Sequence, residues 1–331
     1  MRPVIVPGNT SRLQRSTART PPKSFVTLRT CRMGREFVNS LLPSLPIRAG
    51  HAGVAVRGYR TVALRTIYQM RTVNIGPLQA LHWPTTDLEA PQTILAIHGI
   101  WVGAHVWNQF GAYLASNGYE TYAIWLRQHQ PGSDYERLEG VGLGDYAADV
   151  AAVVRQLGAP VLLGHSMGGL LAQIAATVTE PAGLALLSSA PPFGIPAIPR
   201  LSLLITGIRN FCGRPFDSAP MHPFADWAFL ERLSPDQRAA LTAHRIPEPR
   251  RLARQLAFWP PVIRASQIRC PVFVGAGDED PVIVPWVTRR IAARYRVIPN
   301  FYHGRGHMLN LEPGWQSVGD DLMRWVERFV A

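Results

Sequence analysis

The stretch "PVLLGHSMGGLLAQ", residues 160–173, decides the fold, because an apolar run stops at a serine between small residues and a helix-like run follows. Gly164 and Gly168 permit a sharp turn with close contact between a strand and a helix. Ser166 at this turn either projects clear of a sheet as a nucleophile or merely ends a buried strand. The rest of the sequence distinguishes these interpretations.

The composition favours a soluble globular protein with no nucleic-acid partner. The chain has 331 residues, of which 47% are hydrophobic, and a net charge of +12. Residues 1–71 hold 13 Lys/Arg and one acid, Glu36, whereas the remaining 260 residues hold 21 basic and 21 acidic side chains. The body is therefore neutral, and a basic tail alone is weak support for nucleic-acid binding. No apolar run approaches the roughly 20 residues of a membrane span, so we expect no integral membrane segment.

Residues 1–69 are predicted to form a basic, disordered N-terminal extension. They are rich in Arg, Ser, Thr and Pro and have no sustained apolar period. A targeting segment and an over-extended reading frame with its true start at Met70 are open alternatives. The three cysteines are far apart and odd in number, which predicts neither a disulfide framework nor a metal site and favours a cytoplasmic location.

From residue 78 onward, short β-rich runs alternate with amphipathic helical runs, which predicts an α/β fold with a mainly parallel sheet. The predicted strands are 78–84, 93–99, 119–126, 160–166, 183–189, 271–277 and 295–301, and the predicted helices are 105–116, 143–158, 168–179, 284–294 and 312–330. Residues 191–264 interrupt this rhythm with Pro, aromatic and Arg residues and short helical pieces. We therefore expect core segments at 70–190 and 265–331 with a helical cap or lid at 191–264 between them.

Ser166 fits the G-x-S-x-G pattern between a predicted strand and a predicted helix, the context of a nucleophile elbow. A serine hydroxyl needs a base within hydrogen-bond reach. His303 and His307 follow the last predicted strand. His307 is the preferred base because it sits beside Gly306 in a loop just before the last helix.

The acid that orients the base is expected in a loop at the carboxyl end of another strand. "CPVFVGAGDEDPVIVP", residues 270–285, offers Asp278 and Asp280. Asp280 is preferred because Pro281 stops the strand and favours a loop conformation there. Asp278 remains the alternative.

An acyl-transfer serine also needs donors for the developing oxyanion. The backbone N–H of Met167 is one candidate, and the loop after the 93–99 strand supplies Ile100 as first choice and Trp101 as second. Trp101, His98 and His165 are candidates for the substrate pocket, although a buried histidine is more often a satisfied structural group.

Together these segments resemble the α/β-hydrolase fold superfamily in its esterase-like and lipase-like members. The resemblance covers roughly residues 76–330 and is carried by "HGIWVGAHVWNQF" (98–110), "GHSMGG" (164–169), "GAGDEDPVIVP" (275–285) and "GHMLNLEP" (306–313). It implies an eight-stranded sheet, a Ser-His-Asp triad, an oxyanion hole and a cap between strands six and seven. "WLRQHQPGSD", residues 125–134, departs from the Asp-Leu-Arg-Gly-His-Gly pattern of many members, which predicts a stiffer and differently shaped loop.

The leading hypothesis is a serine hydrolase that needs no cofactor or metal and cleaves small carboxylic esters with an apolar portion. Lactone opening, carbon–carbon bond hydrolysis and peracid formation by the same residues are alternatives, because a fold does not fix a function. A protein of this fold that binds a ligand without catalysis is the alternative from another class.

Overall fold

The computed structural model describes residues 70–85, 92–196 and 228–330. The predicted extension at 1–69 and residues 197–227 of the predicted cap lie outside these ranges. Eight strands form one sheet: β1 (Arg71–Ile75), β2 (Leu78–Trp83), β3 (Thr93–Ile97), β4 (Glu120–Ile124), β5 (Val161–His165), β6 (Gly183–Leu187), β7 (Val272–Gly277) and β8 (Asn300–Tyr302).

The strand order is β1-β2-β4-β3-β5-β6-β7-β8. The β1–β2 and β2–β4 pairs are antiparallel, and the strands from β4 to β8 are parallel. β5 lies near the centre of the sheet between β3 and β6. The predicted α/β-hydrolase fold with a mostly parallel eight-stranded sheet is confirmed.

Seven α-helices are described: α1 (Asn108–Ser116), α2 (Leu143–Leu157), α3 (Met167–Ala176), α4 (Pro235–Ala243), α5 (Arg250–Phe258), α6 (Pro285–Tyr295) and α7 (Gln316–Phe329). Short 3-10 helices occupy Ala104–Trp107, Tyr135–Leu138 and Ala265–Gln267. In the described part of the chain, no helix combines the length and the apolarity that crossing a bilayer requires.

Both faces of the sheet are buried, which explains the continuous apolar runs in its central strands. Successive residues of a strand point to opposite faces, so Leu162 packs in one core cluster while Leu163 packs in the other. Helices α2, α3 and α6 contribute to the first cluster, and helices α1 and α7 to the second. The helices therefore cover the two faces and leave the strand ends for the loops.

Two strands differ from the prediction. β1 was not predicted, because its burial alternates and only Val73 and Ile75 are buried at this edge of the sheet. The strand expected at 295–301 is wrong in its first half, because α6 continues to Tyr295 and Arg296 then ends it in the left-handed conformation, with φ 57°. β8 begins only at Asn300, after Pro299.

The segment between β6 and β7 contains α4 and α5, and no strand is found in its described residues. Ser234 begins α4 with a capping box, in which its side chain accepts from the Gln237 N–H. The loop between α4 and α5 touches the core directly, since the Ile246 N–H donates to the Trp101 carbonyl over 3.1 Å. That this segment acts as a cap stays a prediction.

Candidate active site

The candidate site lies at the carboxyl ends of the parallel strands, where loops from separate parts of the chain meet. Ser166 follows β5, Asp280 follows β7 and His307 follows β8. All three side chains are buried. Ser166 and His307 line one cavity. The fold thus brings together three residues that are far apart in sequence.

Ser166 occupies a strained turn, with φ 54° and ψ −120°. Such a backbone conformation costs about 1–3 kcal/mol for a residue other than glycine, so its surroundings must hold it. The Ser166 N–H donates to the Leu187 carbonyl over 3.0 Å, and the Ser166 carbonyl accepts from Ala190 over 2.9 Å. A Cβ at Gly164 would collide with the Gly168 carbonyl, and one at Gly168 would collide with the Ile97 carbonyl. The two glycines therefore let the strand and the helix approach at the serine.

His307 and Asp280 form a buried pair. The distance from His307 Nδ1 to Asp280 Oδ2 is 2.9 Å, and neither side chain is exposed. The other carboxylate oxygen, Oδ1, accepts from the Val282 and Ile283 N–H groups over 2.8 and 2.9 Å. These two bonds fix the orientation of Asp280, and Nε2 of His307 has no hydrogen-bond partner among the described residues.

Asp278 and His303, the alternative acid and base, lie together but away from this pair. Asp278 Oδ2 is 2.8 Å from His303 Nδ1, and Oδ1 accepts from the Gly304 N–H over 2.8 Å. The His303 side chain is 96% exposed. His303 and His307 thus have separate carboxylate partners, Asp278 and Asp280.

Glu312 holds the backbone on both sides of His307. Its Oε2 accepts from the Gly306 N–H over 2.8 Å, and its Oε1 accepts from the Met308 N–H over 2.9 Å. Burial raises the pKa of this carboxyl above its usual value, against the opposing effect of the two N–H donors. No local sequence pattern predicts this role for Glu312, although it stands only five residues after the candidate base.

The loop after β3 lies against Ser166. A Cβ at Gly99 would sit 3.1 Å from the Ser166 Cβ, a contact tight enough that Ser166 would have to shift by a few tenths of an ångström. The Trp101 N–H donates to Glu248 Oε1 over 3.3 Å. The N–H groups of Ile100 and Met167 have no acceptor within the ranges described. The first-choice donor, Ile100, is thus available, whereas the second choice, Trp101, is engaged.

Two of the predicted pocket residues, His98 and His165, have structural bonds. His98 donates from Nδ1 to the Gly99 carbonyl over 2.8 Å and accepts at Nε2 from the Leu126 N–H over 3.2 Å, so its ring is neutral. Burial lowers its pKa well below the usual value. His165 donates from Nε2 to the His307 carbonyl over 2.8 Å, and burial lowers its pKa to about 3. His165 lines the cavity beside Ser166, whereas His98 is not among the residues that line it.

The cavity beside Ser166 is small, with a volume of about 30 Å³. Its walls include Ile100, Trp101 and Met308 from the core and Phe229, Leu230, Leu241 and Arg245 from the segment between β6 and β7. The Phe229 ring meets the His307 ring edge to face, with 5.0 Å between centroids. Apart from Ser166, the histidines and Arg245, the lining side chains are apolar.

The loop at 125–134 keeps a glycine-like backbone despite its departure from the family pattern. Gln128 has φ 58°, the left-handed conformation that glycine adopts freely. Arg127 forms two 2.6 Å bonds to the Asp149 carboxylate on α2. His129 Nε2 lies 3.0 Å from Glu248 Oε1, so the loop also contacts the segment between β6 and β7.

Sequence reasoning missed Glu248 and the partners that surround it. "RIPEPRR", residues 245–251, has no feature that predicts a buried carboxylate. The described residues contain no group of three or more His, Cys, Asp or Glu side chains placed to hold a metal ion.

The model of the alpha/beta hydrolase family matches residues 94–315. A thermophilic esterase from Thermogutta terrifontis is 18% identical, with a TM-score of 0.58, and the match covers 80% of this chain and all of that one. The naproxen esterase (carboxylesterase NP) from Bacillus subtilis is 17% identical, with a TM-score of 0.58, and the match covers 83% of this chain and 99% of that one. The thioesterase domain from the curacin biosynthetic pathway is 20% identical, with a TM-score of 0.56, and the match covers 77% of this chain and 99% of that one. No curated protein matches the chain.

Proposed function

We propose, from the premise that this chain belongs to the alpha/beta hydrolase family, that it hydrolyses small carboxylic esters through an acyl-enzyme formed on Ser166. The observation that carries the proposal is the buried His307–Asp280 pair: His307 lines the same cavity as Ser166, and its Nε2 has no hydrogen-bond partner in the described part of the chain. The similarity to the two esterases shows the fold alone and agrees with this chemistry.

The proposed mechanism begins with the tautomer of His307. Because Nδ1–H donates to the Asp280 carboxylate, Nε2 is left with a lone pair and can act as the base. It takes the proton of Ser166 as the serine oxygen attacks the ester carbonyl carbon. The carbonyl oxygen becomes an oxyanion, which the N–H groups of Met167 and Ile100 stabilise.

The tetrahedral intermediate collapses when its bond to the alcohol oxygen breaks, and His307 gives its proton to the departing alcohol. A water molecule then loses a proton to Nε2 of His307 and attacks the acyl carbon. Collapse of the second intermediate releases the acid and returns the proton to Ser166. Each step uses the same base and the same two N–H donors, so no cofactor is needed.

The cavity supports a substrate with a short, apolar acyl group. Its volume of about 30 Å³ accommodates roughly two water molecules at about 10–15 Å³ each. We therefore expect p-nitrophenyl acetate and butyrate to be hydrolysed faster than the octanoate. Phe229 and Leu241 would contact the acyl chain.

An active-site phosphonate and the variant Ser166→Ala test the proposal. We expect stoichiometric labelling of the wild-type protein, no labelling of the variant, and a loss of ester hydrolysis of about 10⁴-fold or more in the variant. Ser317→Ala, which changes a serine on α7 outside the site, is the control and keeps full activity. An unlabelled wild-type protein, or full activity after Ser166→Ala, contradicts the proposal.

A further inference from the structure

Glu248 is a buried carboxylate that the proposed mechanism does not use. It lies in the loop between α4 and α5, and its side chain is 2% exposed. Its Oε1 accepts from the Trp101 N–H over 3.3 Å and lies 3.0 Å from His129 Nε2. Its Oε2 accepts from the Tyr146 hydroxyl over 2.9 Å. A carboxylate so far from water is retained only with such partners, so each contact constrains the others.

His129 connects Glu248 to the loop at 125–134. His129 Nδ1 lies 2.9 Å from the Arg127 carbonyl, which can only accept, so Nδ1 donates in this contact. Nε2 on the other side of the ring lies 3.0 Å from Glu248 Oε1, and neither side chain is more than 2% exposed. The orientation of the ring is thus set from both sides, and Oε1 of Glu248 has a fixed neighbour.

The segment between β6 and β7 holds the two peptide groups on either side of the Trp101 Cα, in the loop after β3. The Trp101 N–H donates to Glu248, and the Trp101 carbonyl accepts from the Ile246 N–H over 3.1 Å. Trp101 has φ 64°, a conformation that a residue other than glycine keeps only when its surroundings enforce it. Residues 246–248 provide that constraint.

We propose that Glu248 is a positioning residue of the oxyanion hole. By holding the Trp101 N–H, it turns this donor away from the nucleophile and leaves the adjacent Ile100 N–H to face the substrate oxygen. Gly99, on the other side of Ile100, is already pressed against Ser166. Through Glu248, the segment between β6 and β7 thereby fixes the backbone N–H that would stabilise the oxyanion in the transition state. This inference rests on the proposed function.

The variant Glu248→Gln breaks this constraint with little change in volume. An amide has one accepting oxygen and one donating nitrogen. With Nδ1–H of His129 committed to the Arg127 carbonyl, a neutral ring can only accept at Nε2, so we expect the amide nitrogen of the variant to face Nε2 and, with it, the Trp101 N–H. Two donors cannot bond each other, so the Trp101 N–H loses its acceptor.

Kinetics on a matched pair of substrates, an oxygen ester and its thionoester, test the inference. Sulfur accepts hydrogen bonds weakly and sits farther from the carbon, so an oxyanion hole assists the thionoester much less. For Glu248→Gln we expect kcat on the oxygen ester to fall about 10- to 100-fold, KM to stay within about twofold, and the thionoester rate to change little. Glu139→Gln makes the same chemical change at an exposed glutamate and is the control. We expect it to keep the wild-type rates on the oxygen ester and on the thionoester.

The outcomes separate this inference from the proposed function. If the wild-type protein hydrolyses neither ester, the proposed function fails. If it hydrolyses the oxygen ester and Glu248→Gln lowers both rates equally, or neither, Glu248 does not position the oxyanion donor. Thermal unfolding monitors the fold of each variant. Should Glu248→Gln unfold, Glu248→Asp, which keeps the charge but withdraws it from Trp101, must give the same selective loss, and an equal loss on both substrates overturns the inference.

Discussion

Nδ1 of His307 lies 2.9 Å from Oδ2 of Asp280, and both side chains are sealed from solvent. This bond decides which nitrogen of His307 carries the proton, and so which nitrogen can act as a base. The loops of β7 and β8 carry the two residues, and each loop fixes its residue by further hydrogen bonds.

The variant Asp280→Asn tests the pair. An asparagine amide can present its NH₂ to Nδ1 and stabilise the wrong tautomer of His307, so we expect kcat to fall by about 10³–10⁴-fold with KM little changed. Steady-state kinetics on a p-nitrophenyl ester measure this loss. Asp278→Asn is the matched control, because Asp278 bonds the exposed His303, and it keeps activity within about twofold. A larger loss from Asp278→Asn would assign the acid to Asp278.

The variant Glu312→Gln is expected to shift the position of His307 while leaving its side chain unchanged. The amide has one accepting oxygen, so either the Gly306 or the Met308 N–H loses its partner, at a cost of about 1–3 kcal/mol of unfolding free energy. The resulting shift of His307 lowers kcat about 10- to 100-fold. Urea unfolding and ester kinetics on the same preparation measure both effects. Glu139→Gln, a surface change, leaves both unchanged, and wild-type kcat in Glu312→Gln would exclude this role for Glu312.

Stability is expected to fall as the pH drops below about 6.5, the usual pKa of histidine. Burial lowers the pKa of His165 to about 3 and that of His105 to about 4, so the unfolded chain binds protons that the folded chain excludes. For each such histidine, the free energy of unfolding decreases by up to about 1.4 kcal/mol per pH unit between the unfolded and the folded pKa. The raised pKa of Glu312 has the opposite sign, favouring the folded state at low pH.

Calorimetry or urea unfolding between pH 4 and pH 7 measures this slope. His165→Gln should make it shallower, because one excluded proton is removed. His303→Gln is the control: that histidine is exposed and its pKa is raised by its bond to Asp278, so its contribution lies above pH 6.5 and has the opposite sign. A slope that His165→Gln leaves unaltered would show that His165 does not contribute.

Arg296→Gly is expected to stabilise the protein. Arg296 ends α6 in the left-handed conformation, which costs an ordinary residue about 1 kcal/mol and glycine almost nothing. The greater conformational entropy of glycine in the unfolded chain offsets about 0.5–1 kcal/mol of this, so we expect a net gain of up to about 0.5 kcal/mol. Urea unfolding measures it. Arg290→Gly, at an exposed position inside the same helix, should instead lose about 1 kcal/mol, and a loss at both positions would contradict the argument.

Much of the fold was predictable because its signals are local. The central strands are apolar runs buried on both faces, and Gly164 and Gly168 mark the turn at Ser166 within a few residues. The edge strand β1 was missed because it is half exposed and short. The start of β8 was misplaced because α6 ends at a left-handed Arg296, where a glycine or an asparagine is the usual signal for the end of a helix.

The sequence by itself determined the turn at Ser166 and the loops that carry Asp280 and His307, because these depend on strand ends, glycines and prolines that are close in the chain. Only the tertiary structure decided that Asp280 rather than Asp278 faces His307, since the two aspartates share one loop and differ only in the direction that its hydrogen bonds impose. It alone decided that Glu248 bonds Trp101, 147 residues away, because a buried carboxylate is recognised by its partners and no short stretch of sequence contains them.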